Sequence, residues 1–213
     1  MTEAECQELR RLLPMPAWPQ RRGGRPEGYC HREMLDAVLH VVDNRIKWSN
    51  LPADFPPFKR VHAFARRRQA AGLLGELHDR LRDRERATAG RSPGSSAAIV
   101  DSQSVRATAN ILRSTSGWDG GKNVGRRKRH VVVNCLGLVL AVLVTAASVQ
   151  DRHAAVPLLT RLRERYLSIR LVWADSGYAG RLVAWAAEKL RLALEIVKRS
   201  DDTTGSWCCR EGG

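Results

Sequence analysis

Cysteine is scarce in this chain. The five present in 213 residues, Cys6, Cys30, Cys135, Cys208 and Cys209, include no Cys-x-x-Cys pair. An odd count without metal-ligand spacing indicates neither a zinc site nor a disulfide framework. Long apolar runs are lacking too. The longest, Cys135 to Ala147, falls short of the roughly 20 residues a membrane helix needs. The opening, Met1 to Arg11, is charged throughout rather than signal-like, so a reducing cytoplasm is the expected compartment. No Gly-Lys-Ser/Thr element opens a helix, so a P-loop is not expected. Acidic residues number 22 against 36 basic ones, a formal net charge of +14. That balance favours a polyanionic partner. Lysine is rare among the basic residues, six against thirty arginines. Arginine suits bidentate phosphate contacts, although a GC-rich coding sequence gives the same bias without selection for binding.

With 43% hydrophobic residues, the length suits one medium domain plus a small one. The most informative stretch is 169–180. Ile169, Leu171, Val172 and Trp173 read as a buried strand. Asp175 follows at once, Gly177 and Gly180 break the extended pattern, and Leu182, Val183, Trp185, Ala186 and Leu190 fit one helix face. A carboxylate at the carboxyl end of a buried strand sits where open α/β sheets place their chemistry. It could equally cap the helix that follows. A second stretch repeats the pattern: Ala97 to Val100 are apolar and Asp101 ends the run. Two such aspartates meeting at one sheet edge suit a divalent-metal phosphoryl-transfer site, since Mg²⁺ takes oxygen ligands from one or two carboxylates plus phosphate and water.

The rest of the chain supplies a helical start and a longer α/β part. Residues 3 to 13 suit a helix with Thr2 as N-cap. Pro14 to Gly28 reads as a loop whose Arg21, Arg22 and Arg25 either reach phosphates or are merely solvated. His31 to Asp43 is expected to be helical on Leu35, Val38, Leu39 and Val42. Trp48, Leu51 and Phe55 should pack a small core from the turn Leu-Pro-Ala-Asp-Phe-Pro-Pro-Phe. A helix from about Lys59 to Ala71 turns Val61, Phe64 and Ala65 inward and Arg60, Arg66, Arg67 and Arg68 outward. Another follows on Leu74, Leu77 and Leu81. Short helices with an arginine-studded middle one suit a helix-turn-helix-like DNA reader, or a plain bundle with a solvated basic face. We expect domains at 1–86 and 97–199, joined by a linker at 87–96. A long polar loop is expected from Arg106 to Arg129. It contains Lys122 and closes with Arg126, Arg127, Lys128 and Arg129, a charge run either solvated or holding a phosphate backbone. Val131 to Cys135 and Leu138 to Val144 read as a hairpin about Leu136-Gly137. Asp151 is expected as the N-cap of a helix on Ala155, Leu158, Leu159 and Leu162, and Leu192 to Val197 as a last strand.

This order, strand with Asp, hairpin, helix, strand with Asp, helix, strand, resembles the ribonuclease-H-like mixed α/β fold. Six blocks resemble bacterial insertion-sequence transposases of the DDE class, insertion-sequence family five. They are residues 51–58, Ala-Ala-Ile-Val-Asp-Ser-Gln-Ser-Val (97–105), Gly-Arg-Arg-Lys-Arg-His (125–130), Val-Gln-Asp-Arg (149–152), Val-Trp-Ala-Asp-Ser-Gly-Tyr-Ala-Gly (172–180) and Glu-Ile-Val-Lys-Arg (195–199). The resemblance implies an Asp-Asp-Glu triad binding two Mg²⁺ (or Mn²⁺) ions, with Asp101 and Asp175 as its aspartates. It implies binding of transposon inverted repeats and target DNA, a homodimer in the DNA complex, and a nucleoid location. The family's glutamate lies beyond the last strand. Glu188, Glu195 and Glu211 do not match its context, so no third carboxylate is assigned. The family's apolar run after Thr-Thr-Gly is replaced by Ser206-Trp207-Cys208-Cys209-Arg210, which a one-base frameshift would produce. A catalytically incomplete chain with a disordered tail over 200–213 is the expectation. A non-catalytic DNA-binding regulator derived from a transposase is the alternative.

Overall fold

The first helix begins where Thr2 can cap it. In the computed structural model, which describes residues 2–13, 28–106, 117–119 and 124–197, the Thr2 hydroxyl accepts from Glu5 N and the Glu5 carboxylate accepts from Thr2 N. This capping box satisfies two backbone donors that a helix start leaves open. The helix is α1 (Glu3–Leu12). Next come α2 (His31–Asp43), a 3₁₀ turn (Trp48–Asn50), α3 (Phe58–Ala70) and α4 (Leu73–Thr88). The chain divides into two compact units, Met1–Glu85 and Arg86–Gly213.

In the first unit Met34, Leu35, Ala37, Val61 and Phe64 form the core, with Trp48, Leu51 and Phe55 packed on it. The proline-punctuated turn therefore does supply core aromatics. The buried face of α2 differs from the expected one: Met34, Ala37 and Val41 point in, while Leu39 and Val42 are exposed. Leu74 and Leu81 of α4 are likewise exposed and Leu73 is buried. Arg68 also departs from expectation. It is 2% exposed, its guanidinium lies 4.4 Å from the Phe64 ring centroid, and Nη2 donates to His31 Nε2 at 3.2 Å. A buried arginine persists only where such partners replace water. Arg60, Arg66 and Arg67 stay on the surface.

The second unit is a mixed α/β sheet. Its strands are β1 (Ala97–Arg106), β2 (Gly117–Asp119), β3 (Val124–Val133), β4 (Val139–Ala146), β5 (Leu171–Ala174) and β6 (Ala193–Ile196). The order is β2-β3-β1-β5-β6, with β4 also paired to β3. β3 runs antiparallel to β1, β2 and β4, and β1, β5 and β6 run parallel. An antiparallel hairpin feeding back to a parallel β1-β5-β6 set is the ribonuclease-H-like arrangement. Helix α5 (Asp151–Arg165) covers one face. Its Ala155, Leu158, Leu159 and Leu162 join Ala98, Val100, Val132, Val172 and Leu194 in one core. Helix α6 (Arg181–Trp185) runs into a π-turn, Ala186–Leu190, and contributes Leu182 and Ala186.

The expected loop 106–129 is corrected in part. Arg126 to His130 lie on β3, and 117–119 form β2. Lys122 lies outside the described residues, as do Arg21, Arg22, Arg25, Glu211 and the whole tail 200–213. No described helix is long and apolar enough to cross a membrane.

Candidate functional site

Parallel pairing brings the two aspartate-bearing stretches together. β1 pairs β5 through Ala97↔Leu171, Ala98↔Val172 and Ile99↔Trp173. Two residues beyond the last pair stand Asp101, midway along β1, and Asp175, just past the end of β5; the expectation that the first apolar strand ends at Asp101 is corrected, because β1 runs on to Arg106. Side chains alternate across a strand. Val100 is buried in the core under α5, so Asp101 lies on the opposite face of β1, while Asp175, past the end of β5, lies beside Gly177 and Asp151; both aspartates are exposed. Asp101 Oδ1 accepts from Ser102 N at 2.7 Å, and Asp175 Oδ1 accepts from Gly177 N at 2.9 Å.

The cap on which Asp175 acts is not that of α6. It caps a 3₁₀ turn, Ser176–Tyr178, while α6 starts after Gly180 at φ +98°. Gly177 is needed here for space: a Cβ on it would stand 3.0 Å from Asp175 Oδ1 and 3.6 Å from Asp151 Oδ2.

Asp151 is not the N-cap of α5. That place belongs to Gln150, whose side chain makes no cap bond. Asp151 is the first helical residue, where its charge suits the positive helix end. Its Oδ1 lies 3.4 Å from Lys128 Nζ and 3.7 Å from His130 Nδ1. Lys128 also donates to Val149 O at 3.3 Å, and His130 Nε2 bonds Thr145 Oγ1 at 2.9 Å. His130 is fully buried, and that burial holds its pKa below the ordinary 6.5 despite the opposing pull of Asp151. Tyr178 is also fully buried. Desolvation, and then the charge of Asp151, push its phenol well above the ordinary range. The Ser102 hydroxyl acts weakly against that, yet the Tyr178 hydroxyl has no hydrogen bond of acceptable geometry among the described residues. We take it as unsatisfied.

Strand alternation divides the basic run. Lys128 and His130 face α5 and Asp151. Arg127 and Arg129 face the side of Asp101, and Arg129 Nη2 donates to Gln103 Oε1 at 3.0 Å. Arg126 takes part in β3 through its backbone. The roles of Asp151, His130, Gly177 and Tyr178 escape a sequence reading. The one available signal is the even spacing of Lys128, His130 and Val132.

Glu188 pairs with Lys189 at 2.7 Å, and Glu195 accepts from Trp173 Nε1 at 3.0 Å. Among the described residues no three His, Cys, Asp or Glu side chains converge to hold an ion. Two exposed carboxylates on adjacent stretches nevertheless fit a hard cation completed by water and phosphate oxygens.

Residues 92–206 match the family described as "Transposase DDE domain". Residues 1–78 match "Putative transposase of IS4/5 family (DUF4096)". Among solved structures the chain is similar to "Crystal structure of the Mos1 Strand Transfer Complex", with 14% identity and a TM-score of 0.33. The match covers 82% of this chain and 59% of that one. A comparison with curated proteins gives no match.

Proposed function

The chain belongs to the DDE transposase-domain family, and from that premise we propose that it binds duplex DNA at transposon ends and holds a phosphodiester over Asp101 and Asp175. The observation that carries this reading is the parallel pairing of β1 with β5, which stops two residues before each aspartate, together with the nearness of both to Tyr178. Asp101 and Asp175 would hold Mg²⁺ or Mn²⁺, which would supply Lewis acidity toward a phosphate oxygen. Arg129, fixed by Gln103, and Arg127 lie on the face of Asp101 and orient the DNA backbone. Arg60, Arg66 and Arg67 on α3 are the phosphate contacts of the helical unit. Arg68 is withdrawn from that set because it is buried.

Electrophoretic retention of end-bearing duplexes by the full chain tests the binding half. The expected result is affinity that falls steeply with salt, as counterions are released from the contacted phosphates. No retention even at low salt refutes it. Mg²⁺-dependent nicking that disappears in Asp175→Asn supports catalysis. Retention without nicking selects the non-catalytic regulator instead, a reading favoured by the lack of a three-ligand set among the described residues.

A further inference from the structure

Lys128, His130, Asp151 and Tyr178 form a buried polar cluster that DNA contact and metal ligation do not use. Its carboxylate is anchored on one side only. Asp151 Oδ1 is ion-paired with Lys128 at 3.4 Å and lies 3.7 Å from His130 Nδ1, although neither Oδ1 nor Nδ1 has a hydrogen bond of acceptable geometry among the described residues. Both partners are themselves fixed, Lys128 by the Val149 carbonyl and His130 by the Thr145 hydroxyl. The other oxygen, Oδ2, reaches toward Gly177, 3.6 Å from where its Cβ would be. Asp175 Oδ1 approaches the same point to 3.0 Å and takes the Gly177 N–H at 2.9 Å. Gly177 thus lies beside both carboxylates, and its amide donates to that of Asp175. Tyr178, fully buried with an unsatisfied hydroxyl, closes the turn beneath.

We propose that Asp151, locked by Lys128, is a positioning residue that fixes the Gly177 amide and thereby the orientation of the Asp175 carboxylate. Asp151 is ion-paired with Lys128 and does not join Asp101 and Asp175 in a three-ligand group among the described residues. The proposal rests on Asp101 and Asp175 binding a divalent cation. Residues that orient metal ligands in this way typically contribute roughly 10- to 100-fold in metal affinity.

The test is Mn²⁺ affinity of the full chain, read by the paramagnetic signal of free Mn²⁺, alongside thermal unfolding. Asp151→Asn and Lys128→Met are each expected to weaken Mn²⁺ binding about 10-fold or more. The double variant should be no weaker than either single one, since both break the same link. Leu162→Ala, elsewhere in the α5 core, controls for general instability. It should lower the melting temperature and leave Mn²⁺ affinity unchanged. Wild-type affinity in Asp151→Asn, with binding lost in Asp101→Asn, overturns the positioning role and leaves the cation site standing. An equal affinity loss in Leu162→Ala also overturns it. Wild-type affinity in Asp101→Asn and Asp175→Asn as well overturns both.

Discussion

Two basic runs in this chain look alike in sequence and are used differently. On α3, Arg66, Arg67 and Arg68 follow one another. A helix turns about 100° per residue, so the third arginine comes round to the core, over Phe64 and against His31, while the other two stay at the surface. On β3, Arg127, Lys128, Arg129 and His130 alternate. The arginines face the side of Asp101, while Lys128 and His130 turn inward to Asp151. A basic run therefore cannot be assigned whole to DNA. The local period decides which members lie on an outward face and which turn in to hold the unit together.

The largest expected effect is on α3. Arg68→Ala removes a buried cation–π contact and the hydrogen bond to His31 and leaves a cavity, and should cost about 2–3 kcal/mol in urea unfolding. Arg66→Ala should stay within about 0.5 kcal/mol. Equal losses at the two positions break the comparison.

On β3 the corresponding contrast is electrostatic. His130 has a folded pKa below its ordinary 6.5, so below that pH the unfolded chain takes up the proton more readily than the folded one. Stability contributed by neutral His130 is present above pH 6.5 and is lost as the pH falls toward the folded value. The slope is at most about 1.4 kcal/mol per pH unit for one proton. His130→Gln should flatten this part of the stability profile between pH 7 and 5; an unchanged profile contradicts the assignment.

Within the same strand, Lys128→Ala should lower stability by about 1 kcal/mol and leave the salt slope of DNA binding unchanged. Arg129→Ala should do the reverse, reducing the slope by about one contact with little change in melting temperature. A common response in both variants would show that alternation does not sort the run. The smallest effect expected is Gly177→Ala. Its methyl group meets Asp175 Oδ1 at 3.0 Å, so the carboxylate shifts and Mn²⁺ affinity drops a few-fold while the fold persists.

Much of this could be read from the residues. α2 occupies the very span its apolar period implies, and the capping box of α1 follows from Thr2 and Glu5. Both strand-Asp stretches form strands as expected, because apolar residues buried on one face leave a clear signal; β5 stops before Asp175, but β1 continues through Asp101 to Arg106, since its polar second half is held by pairing with β3. β3 was hidden because its basic residues alternate, Lys128 and His130 meeting Asp151 while Arg129 lies on the other face with Gln103, so no apolar alternation marks that part. β2 is too short and glycine-bordered to show a period. Asp151 looked like a cap because caps and first-turn acids favour the same residues, and only the inward turn of Lys128 and His130 separates the two. The inward turn of Arg68 was illegible for a similar reason: its partners, His31 and Phe64, come from two helices.

The central claim is that Asp101 and Asp175 share one divalent cation. Mn²⁺ titration of the wild type, Asp101→Asn, Asp175→Asn and the double variant tests it most directly. A shared site predicts that each single substitution removes nearly all the affinity that the double one removes. Independent losses that add, or wild-type binding in the double variant, contradict it.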